Sequence, residues 1–161
     1  MGFRDRIRGI TRPDPDVVAV DPEELRLRLM ALNHPTSPWH VRDGAPEKVD
    51  LVVEWKTTDP YWKDIFTEVG VNDTFATHLR FHPDANEVRS RDRCFGWYTT
   101  TDSDGFSSSR QTWKEGQLHE NAEGKVNGQL FRFDTADFKK TLKETIIGAG
   151  WIYRAIVLRR L

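Results

Sequence analysis

Six side chains near the middle of the sequence could hold an anion: His78, Arg80, His82, Arg89, Arg91 and Arg93. The segment 75–82 alternates strictly, with Phe75, Thr77, Leu79 and Phe81 on one face and Ala76, His78, Arg80 and His82 on the other. That is the period of a β-strand. Pro83-Asp84-Ala85-Asn86 reads as a four-residue turn of the type I kind, and 87–99 as the return strand. If the turn closes this hairpin, His82 opposes Glu87, Arg80 opposes Arg89 and His78 opposes Arg91, with Arg93 extending the face. Like charges directly opposed across strands destabilise a sheet, so this ladder requires compensation. Bound phosphate or carboxylate would supply it, gripped bidentately by guanidinium groups. Asp50 and Glu54 on a neighbouring strand, 49–57, would supply it from within the chain. Splaying of the long side chains into water, as on any exposed sheet face, is the third route.

Other chemistry is less well supported by spacing. His78 and His82 stand four residues apart, which on a helix would suit a metal. On a strand they lie about 13 Å apart at about 3.3 Å per residue, too far to share one ion. General acid–base work would draw on His40, His78, His82 or His119 with Glu54, Asp92 or Glu120 as orienters, and no spacing links any such pair. Cys94, the single cysteine, reads as a small core residue. Asp102-Ser103-Asp104-Gly105 starts like a calcium loop, but the closing Glu position holds Trp113. No phosphate loop, dinucleotide fingerprint or nucleophile elbow is present. Trp97, Tyr98, Phe106 and Trp113, interleaved with Arg93 and Arg110, could stack bases, yet cross-strand packing explains them more simply.

The elements that must position these residues follow from local signals. Asp21-Pro22-Glu23-Glu24 opens a helix lined by Leu25, Leu29 and Leu32. Trp39 to Val41 suits a short strand, and 49–57 a longer one. Asp59-Pro60 opens a second helix with Trp62, Ile65, Phe66 and Val69 on one face, stopped by Gly70. After the 75–99 hairpin, strands are expected at 106–114 and 125–133, which makes a four-stranded meander. Asp134 or Thr135 caps a third helix with Phe138, Leu142 and Ile146 inside. The run 151–158 is apolar on both faces apart from Arg154, as in a strand buried within a sheet. The expected class is α+β, an antiparallel meander with about three helices. It is compatible with a ferredoxin-like sandwich enlarged by a central hairpin, or with a curled sheet or partial barrel around one helix.

The chain has 161 residues, enough for one domain with its own core. Residues 1–20 form a basic, peripheral N-terminal segment and linker, in which Phe3, Ile7 and Ile10 fall at helical spacing. Residues 21–161 form the single domain. The net charge of −1 argues against a nucleic-acid coat. No run of about 18 apolar residues exists, and no signal-peptide core follows the start, so a cytoplasmic protein is expected. These features point to a small non-enzymatic binding or interaction protein, acting on an anionic small molecule or an acidic partner through the six residues named first, without a cofactor or metal. The alternatives are a small enzyme with a histidine base in a helix–sheet pocket, and a homodimer formed through the same strand face.

Overall fold

Aspartate caps set the three helices. A computed structural model describes the backbone of residues 9–71, 74–101, 103–157 and 161 and, outside 96–101 and 107–113, their side chains. Helix α1 spans Pro22–Met30, α2 Pro60–Val69 and α3 Thr135–Gly148. The carboxylate of Asp21 accepts from the Glu24 amide, that of Asp59 from Tyr61 and Trp62, and that of Asp134 from Ala136. Each satisfies first-turn N–H groups that the helix itself leaves unpaired. Each helix buries most of the face its spacing predicts: Leu25 and Leu29, then Trp62, Ile65 and Phe66, then Phe138, Leu142 and Ile146, while Leu32 lies past the end of α1 and, like Val69, is partly buried.

The strands are β1 Ile10–Thr11, β2 Trp39–Asp43, β3 Leu51–Trp55, β4 Ala76–His82, β5 Glu87–Thr101, β6 Ser107–Gly116, β7 Asn121–Val126, β8 Gln129–Asp134 and β9 Ile152–Ala155. The main sheet runs β1-β9-β5-β4-β3-β2, with β6 also on β5. Every pair is antiparallel except β5–β9. The class is α+β. Strands β3 and β4 flank helix α2 yet lie as antiparallel neighbours, whereas in a split βαβ arrangement they would be parallel and separated. Among the described residues the sheet does not close into a barrel.

Strand β5 is the axis. Along 87–93 one edge pairs with β4. The other edge pairs first with β9, along 87–90, and then with β6, along 92–101. Gln117 closes the seam between them, its Nε2 donating to the carbonyls of Ser90 and Ile156 at 2.9 and 3.3 Å. At the far edge the amide of Asn33 pairs with both the N–H and the carbonyl of Val41, at 2.7 and 2.8 Å, and so occupies part of the free ladder of β2.

Two expected strands differ. The single strand at 125–133 is a hairpin: β7 and β8 turn at Asn127 and Gly128, with φ of 51° and 79°. Asn-Gly tolerates the left-handed conformation at both positions that a tight two-residue turn needs. This hairpin leaves the main sheet and forms a two-stranded one. It inserts Phe133 against Trp55, Trp62 and Phe66, with ring centroids 5.9, 5.8 and 4.9 Å apart. Of the run expected at 151–158, the described residues, 151–157, form a strand over 152–155.

The N-terminal stretch is tied to the sheet from Gly9 onward. Ile10 is buried on β9, and the Gly9 carbonyl accepts from Ala155 at 2.8 Å. Further on, the Trp151 indole donates to the Val20 carbonyl at 2.8 Å. Gly150 makes this approach possible: its φ is +80°, and a Cβ there would lie 2.6 Å from Ala19. The helical spacing of Phe3 and Ile7 lies outside the described residues. Among the described residues no helix is long and apolar enough to cross a membrane.

Candidate functional site

The period of two gives the main sheet two unlike faces. Val41, Leu51, Val53, Trp55, Thr77, Leu79, Val88 and Tyr153 are buried on one, in the core shared with the helices. The alternate positions carry His40, Arg42 and Glu54, then His78, Arg80 and His82, then Glu87, Arg89, Arg91 and Arg93, and finally Arg154. The register is the one the turn predicts: His82 opposes Glu87, Arg80 opposes Arg89, His78 opposes Arg91, and Arg93 opposes Ala76. The parallel strand adds another cation, since Arg89 also opposes Arg154.

Carboxylates neutralise the two flanks of this face. On the β2–β3 flank Arg42 bridges Glu47 at 2.5 Å and Glu54 at 2.6 Å, and His40 lies 3.2 Å from Glu54. Burial alone would raise the Glu54 pKa. Hydrogen bonds from His40 and Arg42 outweigh it and hold the carboxyl at about 2. On the β9 flank Glu87, almost fully buried, takes Arg89 at 2.8 Å and Arg154 at 2.7 Å. Glu115 of β6 lies 3.1 Å from Arg93 and 3.8 Å from Arg91. The compensation expected from Asp50 and Glu54 thus comes from other residues. Glu54 serves β2, and the Asp50 carboxylate accepts from the Phe81 amide at 2.7 Å.

The middle strand is different. Among the described residues none of His78, Arg80 or His82 on β4 forms an ion pair with a carboxylate. Arg80 donates to the Lys48 carbonyl. His78 is only 5% exposed, beneath the long side chains around it. Its Nδ1, the Nε2 of His82 and the Nε of Arg91 are buried without a hydrogen-bond partner. Burial, then the Arg93 charge, lowers the His78 pKa; burial, then Arg89, lowers that of His82. Both rings are therefore neutral at pH 7, poised beside fixed guanidinium charge.

The catalytic reading finds less support in these contacts. The histidines with carboxylate partners are His40 and His119, the latter 2.7 Å from the α3 cap Asp134; neither is His78 or His82. Asp92 turns to the opposite face. There one oxygen accepts from the Thr77 hydroxyl at 2.7 Å, and the other from the Leu118 amide at 2.8 Å and from the Lys139 ammonium. Cys94 is half-buried against the core. Among the described residues no group of three or more His, Cys, Asp or Glu could hold a metal. The side chains of Trp97, Tyr98, Arg110 and Trp113 and the residue Asp102 lie outside the described set, while Phe106 is exposed.

Residues that sequence spacing did not single out complete the site: Arg42, Glu47, Glu87, Glu115 and Arg154. Glu87 alone was within reach of the hairpin register. Glu47 comes from the short turn between β2 and β3, and Arg42, Glu115 and Arg154 arrive from strands whose order in the sheet is not local in sequence. Comparison with family models, curated proteins and solved structures finds no match for this chain.

Proposed function

We propose that this protein is a non-enzymatic binding protein that recognises an anionic group, phosphate or carboxylate, on a small ligand or an acidic partner. The working surface is the strand face of His78, Arg80, His82, Arg89, Arg91 and Arg93. The observation that carries the reading is the contrast in ion pairing along that face: both flanks are neutralised by glutamates, while among the described residues the β4 strip between them has no carboxylate partner, and ring nitrogens of His78 and His82 there, like the Nε of Arg91, Arg93 and Arg154 beside it, are buried without a hydrogen-bond partner. Unpaired buried polar atoms cost about 1–3 kcal/mol each, a cost an incoming oxyanion removes. Arg80 and Arg91 supply fixed charge at the centre. Arg89 and Arg93, held by Glu87 and Glu115, frame it. His78 and His82, whose pKa values burial and the neighbouring guanidinium charge lower, gain a proton when an anion is bound, so affinity rises as pH falls.

The test is calorimetric titration with inorganic pyrophosphate and, separately, with a poly-glutamate peptide. The double variant Arg80→Glu with Arg91→Glu should lose binding at least tenfold with an unchanged circular dichroism spectrum. Binding of both probes at wild-type strength by that folded variant would refute the site.

A further inference from the structure

Away from the arginine face, a cavity of about 500 Å³ opens between α3 and the β1–β9 edge of the sheet. Its volume lies in the range of small-molecule sites, about 300–1,000 Å³. Tyr153 and Ala155, with Thr11 beside them, give it a mostly apolar floor, and Lys139, Lys140, Lys143 and Glu144 line it from one side of α3. The three ammonium groups are not equivalent. Lys139 is committed to buried Asp92 and to the Leu118 carbonyl. Lys140 lies 4.0 Å from Glu144. Lys143 has no carboxylate partner among the described residues. Its Nζ sits over the Tyr153 ring, 5.4 Å from the centroid, a contact that holds a cation in place without neutralising it.

We infer that this cavity binds a small amphipathic anion, its aromatic or acyl body on the Tyr153–Ala155 floor and its carboxylate, sulfonate or phosphate head on Lys143. The apolar floor supplies affinity, and the lysine supplies orientation and charge selectivity. The site is separate from the proposed anion-binding face, because Tyr153 lies on the core side of the sheet and the arginine strip on the other.

The probe is 8-anilino-1-naphthalenesulfonate, with neutral N-phenyl-1-naphthylamine as its uncharged counterpart, both followed by fluorescence on the native protein. The sulfonate should bind one to one. Lys143→Glu should weaken it at least tenfold and leave the neutral probe within about threefold. Ala136 is exposed at the cavity margin, so Ala136→Trp should plug the opening and weaken both probes without loss of melting temperature. The Arg80→Glu, Arg91→Glu variant should bind the sulfonate normally. Equal sulfonate affinity in wild type, Lys143→Glu and Ala136→Trp would overturn the assignment. So would loss of sulfonate binding only in the arginine variant, or no saturable binding at all.

Discussion

Residues 91 and 92 are neighbours on one strand and show how differently the two faces of the sheet treat charge. Asp92 is fully buried on the helix side, and its carboxylate is met by a hydroxyl, a backbone amide and an ammonium. Arg91 lies nearly as deep on the other side, its side chain 12% exposed, with a glutamate only at 3.8 Å and its Nε unpaired. Burying a charge is tolerable when its partners are built in. The helix side satisfies its ion as part of the fold. The open side leaves donors unpaired, which is expected where function, not stability, sets the arrangement.

That difference can be broken most forcefully on the satisfied side. Asp92→Ala leaves Lys139 in a mostly buried position without its anion and should cost about 3–5 kcal/mol in urea unfolding. Replacing the pair together, Asp92→Leu with Lys139→Met, should recover part of that loss, since it removes the unpaired ammonium but still leaves the Thr77 hydroxyl and the Leu118 amide without their acceptor. A double variant as unstable as the single one would show that the pair is not an isolated unit.

The neutralised flank should respond to acid. The Glu54 carboxyl has its pKa depressed from 4.5 to about 2. A depressed carboxylate contributes stability above its unfolded pKa and loses it as pH falls through the folded one. Glu54→Gln should therefore flatten the stability profile between about pH 4.5 and 2, measured by denaturant midpoint at each pH. A variant profile parallel to wild type would mean that the flank is not held by this carboxylate.

The smallest effect belongs to the centre of the open face. Arg80→Ala should change stability by no more than about 0.5 kcal/mol, since its one polar contact among the described residues is to an exposed backbone carbonyl. A loss near 2 kcal/mol would assign Arg80 a structural role and remove the contrast on which the proposed function rests.

The sequence made the hairpin register legible because period-two alternation and a Pro-Asp-Ala-Asn turn leave one pairing that keeps Leu79 and Val88 inside. The compensation was not legible. Glu115 and Arg154 reach β5 through pairings separated by long stretches of chain, and Glu54 was drawn away by Arg42 from the far edge. The β7–β8 hairpin was readable from Asn127-Gly128, and also from Val126 and Phe133, both buried yet an odd number of residues apart, which one continuous strand would place on opposite faces. The Lys143 cavity depends on how α3 lies against the β1–β9 edge, which no local pattern encodes.

The central claim is that an anion seats on the β4 strip between the neutralised flanks. Its most direct test is a heteronuclear NMR titration with inorganic pyrophosphate, following the imidazole signals of His40, His78, His82 and His119 and the Nε–H signals of the arginines. Saturable shifts are expected at His78, His82 and Arg91, with a rise in the His78 pKa on binding and little change at His119. Saturable shifts confined to His119 and the lysines of α3, or none anywhere, would contradict it.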